Sequence, residues 1–337
     1  MEKIKAWGIS SPVKKYVRGV SFFIILLLLL CIANYVTLPR NNTKKSGIYN
    51  ENAWGFYTEP KDSIDVLVIG NSDAYSAFSP LEIWNEFGIT SYVSGQGNIM
   101  MAESYNAYLE AVKYQKPKLV IIETDSFFPN YDENEIMINT LADTVYNAVP
   151  LFKYHDRWKY VTLHDILNPP EYKWRSYSKG QYVSSKIDAY VPSKHKKEIE
   201  FDKTDIDPFI SFYLDLLIKE VRNNDAEIMF VRFPCDKSYV PEKHDIIQKY
   251  ADEYGIRFID MDHNPEIAGI DWKKDTRDKG THLNVYGARK VSKYMGNYML
   301  DNFKLPDRRN DEELKKLWDE DYKTYLLVID TMDKRLK

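Results

Sequence analysis

From Asp62 to Leu300 the sequence predicts an α/β fold, a doubly wound parallel sheet of about five strands. Three observations predict it. Short apolar runs alternate with segments of helical period. The runs are nearly continuous, as in KLVIIE over 118–123, which suits strands covered on both faces. Several of them end in polar or glycine-bearing turns, and open α/β sheets bind ligands at the carboxyl ends of their strands.

The chain begins with Lys3, Lys5, Lys14, Lys15 and Arg18 set against Glu2, and residues 19–39 then carry no charge. About 20 apolar residues suffice to span a bilayer. This run is longer than the core of a secretory signal and shows no small-residue cleavage site. The expectation is a single-pass, uncleaved signal anchor, with residues 1–18 cytoplasmic and the remainder extracytoplasmic on a bacterial cell membrane. Arg40, Lys44 and Lys45 lie just beyond the run and oppose that orientation. Residues 40–61 are polar, with Gly47 and Pro60, and read as a tether.

The first strand is expected over 65–69 and a helix over 79–87, where Ser79, Pro80 and Glu82 make a good helix start. Further strands fall at 90–93, 118–123, 227–233 and 256–260. Helices are expected over 101–114, along the apolar stripe 206–221, over 242–254 closed by Gly255, and over 286–300. Residues 127–203 break the rhythm and read as a helical, aromatic insertion. Its Tyr154, His155, Arg157, Trp158, Trp174 and Tyr177 suit either a sugar-binding surface or an aromatic minicore. Residues 304–337 form a charged helical tail that packs back on the domain or on a partner.

Composition excludes some classes. A net charge of −4 argues against a nucleic-acid partner. The two cysteines, Cys31 in the apolar run and Cys235 in the domain, are not expected to pair, and no Cys/His cluster has zinc spacing. Neither metal nor cofactor is expected. The turn after the first strand, GNSDAYS, matches neither the P-loop nor the dinucleotide fingerprint, so a nucleotide or flavin protein is discounted.

Two short stretches carry chemistry. Gly70-Asn71-Ser72-Asp73 follows the first strand, where a serine hydroxyl is exposed at the sheet's rim. A serine there serves equally as a turn residue or helix cap. Far downstream, DKGTHLNVYGA over 278–288 offers His282, with Asp278 four residues before it and Asp275 seven. A nucleophilic serine needs a base, and the base needs a carboxylate to fix its tautomer. The turn Ser94-Gly95-Gln96-Gly97-Asn98 after the second strand lies on the same sheet edge. The N–H groups of Gly95 and Gly97 and the Asn98 side chain are candidate oxyanion donors there, beside the alternative of a turn needing positive φ.

These stretches, in this order, resemble the SGNH hydrolase superfamily. The closer likeness is to its membrane-anchored branch of DltD-like and polysaccharide O-acetylation proteins. Lys116-Pro117-Lys118 and the run from Pro150 to Trp158 add to it, and the resemblance covers about 62–300. It implies a flavodoxin-like doubly wound sheet. It also implies a Ser72–His282–Asp278 acyl-enzyme, with Asp275 as the alternative acid and an oxyanion hole from Ser72, Gly95, Gly97 and Asn98. Substrate contacts are expected from Asn71, Asp73, His155, Arg157, Trp158 and Asn284.

Two departures stand out. The usual carboxylate sits three residues before the histidine, where this chain has Lys279. Many members carry Gly-x-Asn-Asp after the third strand, where this chain has Glu123-Thr124-Asp125-Ser126. The expected function is an extracytoplasmic serine O-acyltransferase or esterase, O-acetyl by preference, acting on a cell-surface glycopolymer. The resemblance also implies a multi-span membrane O-acyltransferase as partner. The alternative is a non-catalytic domain that binds the glycopolymer or assembles with that partner.

Overall fold

The structure is a computed structural model that describes residues 11–48, 50–192 and 201–336. Lys3, Lys5 and the rest of the first ten residues lie outside the described residues, as do 193–200 of the insertion. In chain order the helices are α1 (Ser11–Thr37), α2 (Ser72–Ala77), α3 (Pro80–Phe87), α4 (Met101–Ala111), α5 (Glu133–Ala148), α6 (Pro150–Tyr154), α7 (Leu163–Leu167), α8 (Pro208–Asn223), α9 (Pro241–Tyr254), α10 (Val285–Asn302) and α11 (Glu312–Leu336). Contacts divide the chain into two compact units, 1–40 with 145–171, and 41–144 with 172–337.

The smaller unit is built on α1. An 18-residue window within Val13–Thr37 has a mean hydropathy of 2.5 and is not buried, unlike the core helix of a soluble domain. At ~1.5 Å per residue it is long and apolar enough to cross a ~30 Å hydrocarbon layer.

The larger unit holds one parallel sheet of β1 (Val66–Gly70), β2 (Ser91–Gly95), β3 (Leu119–Glu123), β4 (Glu227–Arg232) and β5 (Arg257–Asp260), in the order β2-β1-β3-β4-β5. Strand side chains alternate between faces, so β1 feeds two cores. Leu67 and Ile69 pack with Tyr108 of α4, Leu214 and Leu217 of α8 and Ile247 of α9. Val66 and Val68 pack with Ala74 of α2, Ile83 of α3 and Val291 and Met295 of α10. Burial on both faces is why the strands read as unbroken apolar runs. The chain reverses direction across the sheet between β2 and β3, so the switch-point crevice opens at the carboxyl ends of β1 and β3.

Residues 40–61 were expected as a tether, and this is corrected. Ile48, Ala53, Trp54 and Phe56 are buried in the core beside β1 and β2. Asn42, fully buried, donates to the carbonyls of Trp54 and Trp174. Tryptophan and phenylalanine bury enough apolar area to hold so short a segment in place. The tail packs back on its own domain through α11, with Trp318 5.3 Å from the Trp84 ring of α3.

Candidate active site

β1 ends at Gly70, where an added Cβ would lie 2.3 Å from Glu123 Cβ, so only glycine lets β1 and β3 end side by side here. Asn71 then turns the chain. Its Oδ1 accepts the Asp73 N–H at 2.8 Å, and Ser72 becomes the first residue of α2. A six-residue helix is too short to show a helical period, which is why α2 was not expected from the sequence.

The Ser72 hydroxyl lies 2.8 Å from His282 Nε2. His282 Nδ1 lies 2.5 Å from Asp278 Oδ2, and the His282 N–H donates to Asp278 Oδ1 at 2.6 Å. The loop takes up its extra residue by a left-handed pair, Lys279 (φ 61°) and Gly280 (φ 90°). A Cβ on Gly280 would meet the Tyr190 ring at 2.6 Å. Partial burial works upward on the Asp278 carboxyl, but hydrogen bonds and charge from His282 hold it below the usual carboxylate range. Asp275 is not on the histidine. It is buried at the start of α10, where it bonds Lys290 Nζ at 2.6 Å and accepts the Asp271 N–H at 2.7 Å.

Gly95 ends β2 in register with Gly70. A Cβ there would stand 3.1 Å from the Tyr75 ring and 3.4 Å from the Asn71 carbonyl oxygen. The Tyr75 hydroxyl lies 3.7 Å from where a Gly97 Cβ would be. Both glycines therefore lie against Tyr75, three residues after the serine on α2. Asn98 has φ 54° and, with Asn71, lines an open cavity of about 660 Å³. Phe128, Tyr131, Phe201, Lys237 and Lys243 line it further.

Behind the serine lies a buried charge cluster that the sequence reading missed. Arg232, the last residue of β4, reaches Asp125 at 2.5 Å, Asp262 at 3.0 Å, Asp73 at 3.6 Å and Glu123 at 3.8 Å. Burial pushes Asp73 well above the usual carboxylate range against the pull of Arg232. Burial and the neighbouring Asp125 push Glu123 up to about 8. Burial also works upward on Asp125, but Arg232 and Lys243 hold it below. Asp125 accepts Asn71 Nδ2 at 2.7 Å, and Glu123 accepts the Asn71 and Asp125 N–H groups at 3.4 and 2.6 Å. Glu123 and Asp125, with Thr124 between them at the end of β3, thus hold the Ser72 turn from behind. An arginine closing an apolar strand at the ligand edge was the signal that could have exposed the cluster. Arg277, also missed, donates to Ser76 Oγ at 2.9 Å and to the Leu283 carbonyl at 2.6 Å, linking α2 to the histidine loop.

Two expected substrate contacts, Asn284 and Asp73, are corrected. Asn284 is buried as the cap of α10, where it accepts the Tyr286 and Gly287 N–H groups and donates to the Lys274 carbonyl at 2.7 Å. Its side-chain atoms are spent on the start of α10, on the Lys274 carbonyl and on the Lys186 carbonyl at 3.1 Å. Asp73 is buried toward Arg232, although Oδ1 comes within 3.9 Å of His282 Nε2. His155, Arg157 and Trp158 fall in the smaller unit, where Arg157 donates to the Thr37 and Leu38 carbonyls. Among the described residues no group of acidic, histidine and cysteine side chains is placed to hold a metal ion.

No family model matches this chain, and no curated protein matches it. Among solved structures it is similar to a lipase/acylhydrolase from Enterococcus faecalis, at 8% identity over 72% of this chain and 99% of that one, TM-score 0.38. It is also similar to an acetyl xylan esterase, at 14% identity over 69% and 98%, TM-score 0.35. A catalytic mutant of an acetylxylan esterase from Geobacillus stearothermophilus shows 13% identity over 71% and 94%, TM-score 0.34. Likenesses this distant leave the chemistry to be read from the site's own geometry.

Proposed function

We propose that this chain is a membrane-anchored serine esterase or acyltransferase of the SGNH hydrolase superfamily, acting on the O-acyl groups of a cell-surface glycopolymer. The observation that carries the reading is the unbroken chain from Ser72 Oγ through His282 to Asp278, at 2.8 and 2.5 Å. Asp278 holds the imidazole with its proton on Nδ1, which leaves Nε2 free to accept one from the serine.

Ser72 Oγ attacks the acyl carbonyl carbon as its proton passes to His282 Nε2. The carbonyl oxygen becomes an oxyanion, stabilised by the Ser72 N–H with Gly95 or Gly97 N–H and the Asn98 side chain. The tetrahedral species collapses, the proton on Nε2 leaves with the alcohol, and the acyl group stays on Ser72. A second acceptor then repeats the sequence in reverse. Water makes the protein an esterase, and a sugar hydroxyl makes it a transferase.

The cavity supports a carbohydrate ligand. Phe128, Tyr131 and Phe201 offer faces for sugar rings, and Asn71, Asn98 and Asn130 offer polar atoms for hydroxyls. The length and apolar surface of α1 support a bilayer anchor. The charge pattern around 19–39 supports an extracytoplasmic domain, and the family resemblance supports a multi-span O-acyltransferase as the source of the acyl group.

The test is release of p-nitrophenol from p-nitrophenyl acetate by the full chain in detergent, compared with Ser72→Ala and His282→Ala. Turnover lost in both variants, with circular dichroism unchanged, is the expected result. Equal slow turnover in all three would leave the domain as a binder of its polymer.

A further inference from the structure

The smaller unit carries an arrangement that the acyl-transfer chemistry does not use. Three points of the segment 145–171 are tied to one end of α1. The Leu151 N–H donates to Asn34 Oδ1 at 2.8 Å, Arg157 donates to the Thr37 and Leu38 carbonyls, and Tyr35 Oη donates to the Ile166 carbonyl at 3.4 Å. The Glu171 N–H closes the segment on the Arg40 carbonyl at 2.8 Å. The first three ties fall within residues 34–38, at and just past the end of α1, a rise of only ~6 Å at ~1.5 Å per residue. The segment therefore lies across the end of the apolar helix, at one level.

At that level the segment turns large apolar side chains outward. Phe152 is 54% exposed, Trp158 68%, Tyr160 71%, Leu163 75% and Leu167 79%. Tyr35 on α1 joins them at 48%. Tryptophan and tyrosine gather at membrane–water interfaces, where an amphipathic ring meets both phases. The charges are balanced, with Lys153, Arg157 and Lys159 against Asp156, Asp165 and Glu171. Attraction to acidic headgroups is therefore not what would seat the segment.

We propose that 145–171 is an interfacial collar, which lies in the headgroup region of the leaflet where α1 leaves the bilayer. Its occupant is the lipid surface, because its anchor points are the last residues of the span. The collar rests on the reading of α1 as a membrane span. Burial of Trp158, Tyr160, Leu163 and Leu167 supplies the binding, so the seat is insensitive to salt and to acidic lipid.

The experiment reconstitutes the full chain, with Cys31→Ser, into vesicles of phosphatidylcholine alone. A nitroxide is placed at Leu163→Cys or Leu167→Cys. Leu26→Cys within α1 and Lys316→Cys on α11 serve as references. The collar predicts that labels at 163 and 167 lose collisions with a water-soluble nickel chelate relative to 316, gain collisions with oxygen, and do not change with added salt. Labels at 163 and 167 as open to nickel as that at 316, with 26 shielded, would overturn the collar alone and give the face to a protein partner. A label at 26 open to nickel would overturn the span, and the collar with it.

Discussion

Two buried charge clusters in the larger unit are built from the same residue types and do opposite things. In one, Lys179 is fully buried between Glu59 at 2.7 Å and Asp321 at 2.6 Å, with Arg175 hydrogen-bonded to Asp321 and its Nε 3.7 Å from Glu59. Two cations face two carboxylates, and the Lys179 ammonium also lies 4.5 Å from the Trp318 ring. That cluster joins three distant parts of the chain, residues 59, 179 and 321, and leaves no charge over. In the other, Arg232 faces Asp73, Glu123, Asp125 and Asp262, and Lys243 stands 3.9 Å from Asp125. Here acid is in excess, and burial drives Asp73 and Glu123 toward their neutral forms and Asp262 up to about 6. A matched cluster staples a fold. A mismatched one keeps titratable groups beside the proposed nucleophile, Ser72, and perturbed carboxylates gather in functional sites.

The largest difference between the two clusters is expected in activity. Asp278→Asn is expected to lower ester turnover by up to about 10⁴-fold with the melting temperature kept, because it upsets the imidazole tautomer and little else. Lys179→Met should do the reverse. It leaves two buried carboxylates without their lysine and costs about 3–5 kcal/mol of stability, read by urea unfolding, while turnover per folded molecule holds. If Lys179→Met abolished turnover in the folded protein, the staple would belong to the site.

Arg232→Gln lies between the two. It removes the one guanidinium among four acids, so their protonated forms are favoured further. Stability should then be retained at about pH 5 and fall by about pH 8, as the carboxyls are forced to ionise. Turnover should fall too, through the loosened Asp125–Asn71 support.

The smallest effect sharpens the sign. The Glu123 carboxyl is raised from 4.5 to about 8 in the folded protein, so the fold holds that proton more tightly than the unfolded chain. Its contribution to stability is present below about 4.5 and is lost as pH rises through about 8. Melting curves of wild type and Glu123→Gln should therefore diverge in the variant's favour as pH rises across that window. Parallel curves would show that Glu123 is ionised throughout.

The fold was legible because a parallel strand covered on both faces must be apolar along its whole length, as 118–123 is. Ser72 and His282 stood out because each sits in a polar turn at the sheet's ligand edge, although they lie 210 residues apart. What escaped was partnership across the fold. Arg232 reads as an ordinary strand end until the ends of β1, β3 and β5 bring four carboxylates to it. Asn284 reads as a polar side chain ready for a ligand until α10, Lys274 and Lys186 take up its polar atoms. Residues 40–61 read as a tether because their few large apolar side chains are spaced without a period, yet burial of Ile48, Trp54 and Phe56 is enough to fix them.

The central claim is that Ser72 is a nucleophile activated by His282. The most direct test treats the full chain with a fluorophosphonate and maps the adduct by peptide mass spectrometry. The account predicts one adduct, on Ser72, that fails to form in folded His282→Ala. No adduct, or one that forms equally fast without His282, would contradict it.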